Sequence, residues 1–374
     1  MSNQTFNYYA QTVPGAEEIA WLEIRWRLPG VKFGEYLFAK EQNGIVTFEY
    51  QGDIADVQQL ETVEDVFLLA VDVPKLSRGN RDLTQIRDMV TKAESFGRAG
   101  NQLMRFRQLS RPPSYRVVSR KFGRHEYALK ELQKAVLQGM QSRYPRWAPV
   151  ADGAQVELGV DLLGSHLLCG FNITDKQARK TRILRQTDGD AVRPSLAAAL
   201  VLVTEPEPDD VFLDPVCGNG RLLFTRRLLG RYGRLFGADP SPDQLEIAAE
   251  NLATRRKGRL AENIDLQPWT DTGLPLADAS VDKTAAVLPD SAQVGSEQEM
   301  KKLYTAVFQE IARVLKPNGR AAILSREYDQ VKTSLRERPM LEIQTGYSVK
   351  AGAQWGRIYI IKRLEDATAV TPAA

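Results

Sequence analysis

Residues 211–220, Val-Phe-Leu-Asp-Pro-Val-Cys-Gly-Asn-Gly, constrain the fold of this chain more than any other stretch. An apolar strand ends in Asp214, passes through Pro215 and opens onto a loop carrying Cys217, Gly218 and Gly220. Twenty-five residues after Asp214 a second strand, Arg-Leu-Phe-Gly-Ala at 234–238, ends in Asp239. Strand, glycine loop, helix, strand and acid describe one mononucleotide-binding unit of a doubly wound α/β sheet. The glycines let backbone approach a ligand, and the acid after the second strand accepts hydrogen bonds from ribose hydroxyls. A carboxylate at Asp214 would repel the pyrophosphate of a dinucleotide. It suits the sulfonium and ammonium of S-adenosylmethionine (SAM). No G-x-G-x-x-G and no G-x-x-x-x-G-K-[ST] is present, which sets the dinucleotide and P-loop readings aside.

Two cysteines, Cys169 and Cys217, lie far apart in the 374 residues, which fits a reducing cytoplasm and excludes a disulfide framework. With only His125 and His166 besides, no metal site is expected. No apolar run nears the length of a membrane span, and the N-terminus has no signal pattern, so a cytoplasmic protein is expected.

The net charge of +3 hides an asymmetry. Residues 1–97 hold 9 Lys/Arg against 15 Asp/Glu, whereas residues 98–146 hold 12 against only Glu126 and Glu131. The stretch 176–193 is basic again. Arg105, Arg107, Arg116, Arg120, Lys121 and Arg124 sit among Phe106, Tyr115, Phe122 and Tyr127. Cations bind phosphates, and guanidinium and aromatic groups both stack on bases, so this middle segment reads as an RNA-binding surface.

Three blocks follow along the chain. Residues 4–75 read as a small α+β unit, with strands near 5–11, 35–39, 45–50 and 65–73 and a helix over 16–27. A helix at 81–92 leads into the basic segment. There Pro112-Pro113 restarts the chain as a strand at 115–121, and Leu129, Leu132, Val136 and Met140 share one helical face. Strands at 155–161 and 166–173 complete a second α+β unit. A polar linker precedes a helix over 194–203, and regular strand–helix alternation fills the rest to Arg363. The small, polar tail after it is expected to be disordered.

From Phe6 to Arg363 the chain resembles the THUMP-domain RNA methyltransferases of the tRNA guanine-N2 type. The resemblance rests on Tyr8-Tyr9-Ala10-Gln11-Thr12-Val13-Pro14-Gly15-Ala16-Glu17, on Tyr115-Arg116-Val117-Val118-Ser119-Arg120, on Arg193-Pro194-Ser195-Leu196-Ala197-Ala198, and on Asp214-Pro215-Val216-Cys217-Gly218-Asn219-Gly220. It implies a ferredoxin-like unit at 1–75, a THUMP-like RNA-binding module at 76–174, a linker at 175–193, a Rossmann-like SAM-methyltransferase sheet at 194–364, and a tail at 365–374. It further implies SAM as cofactor and tRNA as partner. Asp239 would hold the ribose, Asp271 would accept from the adenine amine, and Arg193 and Ser195 would line the site.

The chain departs from this family at the end of the fourth strand of that sheet. The family carries Asn or Asp, then Leu or Pro, then Pro, then an aromatic residue; here the sequence is Val287-Leu288-Pro289-Asp290. The polar side chain and a backbone carbonyl orient the target amine, and the aromatic stacks on the flipped base. Val287 cannot accept a hydrogen bond and Asp290 cannot stack, which leaves Asp290, beside Pro289, as the candidate acceptor. The expectation is a SAM-dependent methyltransferase acting on a guanine exocyclic amine in tRNA. The alternative is an RNA-binding pseudo-methyltransferase of the same fold, and a DNA or small-molecule methylase stands third.

Overall fold

The computed structural model describes residues 4–39, 43–174, 183–186, 192–253, 260–269 and 273–365. Asp271, most of the expected linker and nearly all of the tail lie outside the described residues. The chain divides into two compact units, 1–181 and 182–374.

In the first unit, strands β1 (Phe6–Thr12), β2 (Lys32–Ala39), β3 (Asn43–Tyr50), β4 (Asp65–Val73), β5 (Ser114–Phe122), β6 (Ala148–Pro149), β7 (Val156–Leu163) and β8 (His166–Asn172) form one sheet. Its order is β2-β3-β1-β4-β8-β7-β5-β6. The sequence suggests a module boundary near residue 75, but the ladder crosses it: β4 runs antiparallel to β8, from Phe67 against Asn172 to Val73 against Leu167. Buried backbone must be hydrogen-bonded on both edges, and β1 can serve only one edge of β4. Successive residues of β1 alternate faces, so Tyr8 and Ala10 enter the main core while Tyr9 stacks on Phe67, 4.6 Å between centroids, on the other side.

Among the described residues, five helices accompany this sheet: α1 (Glu17–Arg27), α2 (Ile54–Gln58), α3 (Arg81–Lys92), α4 (Glu94–Phe106) and α5 (Leu129–Arg143). The parallel pairing of β5 with β7 needs a crossover, and α5 supplies it with Leu132, Val136 and Met140 buried. Sequence reasoning missed α4, because Gly97 and Gly100 are poor helix formers. A Cβ at Gly97 would meet Arg143 at 2.2 Å, and one at Gly100 would meet the Tyr144 hydroxyl at 2.3 Å. The glycines therefore admit the end of α5 against α4.

Glu23 of α1 is fully buried. Its carboxylate accepts from the backbone N–H of Glu61 at 2.9 Å and of Thr62 at 2.7 Å, and from the Thr62 hydroxyl at 2.6 Å. Arg27 Nε pairs with it at 2.8 Å. This one side chain fastens the helix to the turn that feeds β4. Glu23→Ala strands those donors, and a loss of about 3 kcal/mol in chemical denaturation is expected.

The second unit alternates from its start: α6 (Pro194–Leu202), β9 (Val211–Asp214), α7 (Arg221–Leu228), β10 (Arg234–Asp239), α8 (Pro242–Leu252), β11 (Ile264–Pro268), β12 (Val281–Val287), α9 (Glu297–Val314) and β13 (Leu315–Ser325). It closes with α10 (Tyr328–Arg336), which the sequence reading did not anticipate, then β14 (Leu341–Ala351) and β15 (Gln354–Arg363). The sheet order is β11-β10-β9-β12-β13-β15-β14. Strands β11, β10, β9, β12 and β13 are parallel, and β15 is antiparallel to both neighbours. This is the doubly wound α/β sheet expected from the sequence. Ser241 caps α8 and Ser296 caps α9, accepting at 3.4 Å and 3.2 Å from the N–H three residues on. Ser195 through Leu202 are all buried, as a helix apolar on every side must be.

Candidate functional site

Strand order reverses at β9, with β10 on one side and β12 on the other. Ligands of open α/β sheets bind outside the carboxyl ends of the strands at such a switch point. Asp214 ends β9 and Asp239 ends β10, so the two acids come together there. Cys217 N donates to Ala238 O at 2.8 Å, pinning the loop to β10. Asp239 then spans two loops: Oδ2 accepts from Gly218 N and Oδ1 from Ser241 N, each at 2.9 Å. Asp214 Oδ1 accepts only weakly from Val216 N, at 3.3 Å. Gly218 and Gly220 have φ of +48° and +79°, the left-handed region where a side chain is strained. A Cβ at Gly220 would also meet Ala248 and Leu252 at 3.2–3.3 Å, so the loop lies close against α8. Pro215 offers its carbonyl to Trp269 Nε1 at 2.7 Å.

Burial, with Asp239 nearby, pushes the Asp214 carboxyl well above the usual range. Burial also raises Asp239, against the pull of its two backbone donors. Burial, with both acids nearby, pushes the Cys217 thiol well above its usual range.

Asn251 was missed in the sequence. It is buried in α8, donates to Asn219 O at 2.9 Å and Gln186 O at 3.0 Å, and accepts from Gln186 N at 2.9 Å. It ties the glycine loop to the segment ahead of α6. Only the fold could reveal that, because an Asn on a helix carries no distinctive signal.

A cavity of about 450 Å³ opens at the ends of β12 and β13. Arg193, Leu196, Val287, Leu288, Asp290, Arg326 and the turn 351–354 line it. Ser195 is buried in the first turn of α6 and does not line it. Neither Asp214 nor Asp239 is among the residues lining this cavity: Asp214 ends β9, the neighbour of β12, and Asp239 ends β10, one strand further on. Asp290, expected as a free acceptor, is already engaged. It pairs with Arg326, accepts from Ala292 N at 3.1 Å, and its own N–H donates to Gln293 Oε1 at 3.1 Å. The Pro289 carbonyl accepts from the buried Tyr304 hydroxyl at 2.9 Å. Sequence reasoning overlooked Arg326, which sits at the end of β13.

In the first unit the expected RNA contacts divide. Arg116 pairs with Glu157 at 2.9 Å and Asp152 at 3.3 Å, and Arg107 donates to the carbonyls of Gln155 and Asn172. Arg120 stands 3.7 Å from the buried Asp161. Lys121 lies over the Tyr127 ring, 6.0 Å from its centroid. These cations hold the sheet together. Arg105 and Arg124 are exposed, as are Lys130 and Lys134 on one face of α5.

Residues 182–356 match the family model UPF0020, described as an RMKL-like methyltransferase domain. The match takes in most of the C-terminal unit, just under half of the chain, and marks that unit as a methyltransferase domain. A mouse protein, tRNA (guanine(6)-N(2))-methyltransferase THUMP3, is 25% identical over 198 residues, which cover 50% of this chain and 39% of that protein. The chain thus spans well under half the length of this mammalian relative. A tRNA (guanine(6)-N2)-methyltransferase of Thermus thermophilus is 23% identical over 255 residues, 67% of this chain and 73% of that one. The crystal structure of TrmN from Thermus thermophilus shares the fold at TM-score 0.73 and 21% identity, over 96% of this chain and 100% of that chain.

Class I methyltransferase domains take their methyl group from SAM, and this domain has the carboxylates that suit it. A cationic ligand favours ionised carboxylates, whereas burial favours protonated Asp214. Binding should therefore release a proton. Calorimetric affinity for SAM should rise with pH until the raised Asp214 pKa is passed, then level off. Asp214→Asn should weaken binding and flatten that profile, and Asp239→Ala should cost at least about tenfold in affinity.

Proposed function

We propose that this chain is a SAM-dependent RNA methyltransferase that methylates a guanine exocyclic amine in tRNA. The observation that carries the reading is the pair Asp214 and Asp239 at the switch point, next to a cavity large enough for a nucleobase. The names of the relatives support the substrate class. SAM, when bound, would supply the methyl group and depart as S-adenosylhomocysteine, with the guanine N2 proton passing to water. Asp239 would hold the ribose, Asp214 would face the cationic end, and the glycine loop would let the cofactor approach the backbone. Arg193 would line the floor on the target side.

A second reading, an RNA-binding protein of this fold that is silent as a methylase, is favoured by the target side itself. Val287 offers no acceptor, and Asp290 is committed to Arg326 and its own turn. Labelled methyl transfer from SAM into bulk tRNA decides between them. Slow but measurable wild-type turnover is expected, with Val287→Asn raising it about tenfold by restoring one oriented hydrogen bond. No transfer by either protein, with SAM and tRNA binding intact, establishes the silent form.

The RNA-binding part of the reading rests on the exposed cations. Affinity for tRNA should fall steeply with salt as counterions are released. Reversing Arg105, Arg124, Lys130 and Lys134 to Glu should abolish tRNA binding in a gel shift while leaving SAM binding unchanged. Unaltered tRNA affinity in that variant places the RNA surface elsewhere.

A further inference from the structure

A base drawn out of its stack is gripped by a flat partner, an aromatic ring or a guanidinium plane. Among the described residues, none of the side chains lining the cavity at the ends of β12 and β13 is aromatic. We propose that Arg326 is the stacking platform for the target base, and that Asp290 is the residue that positions it. This rests on the methyltransferase reading above and extends it to the base-binding half of the site.

The guanidinium is fixed at two points. Nη1 donates to Asp290, and Nη2 donates to the Ala351 carbonyl at 2.7 Å. Asp290 is itself fixed by Ala292 N and by Gln293, so the plane of Arg326 cannot swing freely. The acid side chain is 9% exposed and the arginine 34%, so the anchor is sunk and the platform reaches the cavity. The turn 351–354 carries Gly352 at φ +70°, and a Cβ there would approach Arg326 no nearer than 3.7 Å.

One observation favours a base over a phosphate. The adjacent carboxylate offsets the positive charge, which weakens attraction for an anion but leaves the face of the plane available. Asp290 stands where the sequence pattern calls for a flat side chain, and through its ion pair it brings a flat group from β13 instead.

The test uses the full chain saturated with S-adenosylhomocysteine, titrated with guanosine, which has no phosphate, and followed by saturation-transfer NMR. Arg326→Lys keeps the charge and loses the plane, and should weaken guanosine binding about tenfold. Arg326→Tyr keeps a plane and loses the charge, and should stay within about threefold of wild type. Asp290→Asn should weaken guanosine binding in the wild-type background and add nothing on top of Arg326→Lys, a coupling that a merely structural role would not produce. S-adenosylhomocysteine affinity, unchanged in every variant, confirms that each is folded. Equal guanosine binding by the Lys variant and wild type overturns the proposal, as does competition by inorganic phosphate. Failure of the wild type to bind guanosine while binding S-adenosylhomocysteine overturns the platform alone. Failure to bind S-adenosylhomocysteine overturns the methyltransferase reading together with it.

Discussion

The Asp239 carboxylate organises the second unit. One oxygen takes the N–H of Gly218 and the other the N–H of Ser241, so a single side chain holds the loop after β9 and the cap of α8 in register. Parallel strands place these loops on one edge of the sheet, but parallel pairing does not fix their conformation. Glycine at 218 and 220 supplies the positive φ that the loop needs, and the close fit against α8 leaves no room for a side chain at 220. Asp214 is deeply buried with a weak bond from Val216 N, and that burial pushes its carboxyl well above the usual range. A buried acid of this kind is one that a cationic ligand would stabilise in its ionised form.

The target half of the site is arranged differently. Where a polar and a flat side chain are expected at the end of β12, there are Val287 and an engaged Asp290. The polar and planar chemistry has moved one strand over, to Arg326 at the end of β13. Tyr304 bonds both the Pro289 carbonyl and, at 2.8 Å, the Ser325 hydroxyl, which ties the ends of β12 and β13 to one side chain. A change of motif in one strand is thus linked to the next by hydrogen bonds, and the cavity survives it.

In the first unit, basic composition and basic surface are different things. Arg116 of β5 and Arg107, just after α4, bond to carboxylate and carbonyl groups at β7 and β8. Cations outside such networks are the ones best placed to meet a polyanion: Arg105 on α4, Arg124 on the connection after β5, and Lys130 and Lys134 on α5. The buried Asp161, accepting from Tyr9 at 3.1 Å and Gln11 at 2.9 Å with Arg120 near, belongs to the same internal network.

The sequence by itself determined the doubly wound sheet, the paired acids, the glycine loop and most element boundaries, because turn chemistry and apolar period act over a few residues. Asp65–Val73 and Arg81–Lys92 were legible to the residue. It could not show that β4 and β8 share a ladder, that Gly97 and Gly100 belong to a helix, or that Asn251 clamps the loop. Each of those depends on a partner brought from far along the chain. The same holds for the candidate site: Asp214 and Asp239 announce themselves by position after a strand, whereas Arg326 acquires its meaning only when β13 folds beside β12 and Asp290 meets it. Local pattern encodes which face is buried and where the chain turns. Which charges find each other, and which stay exposed, is decided by tertiary packing.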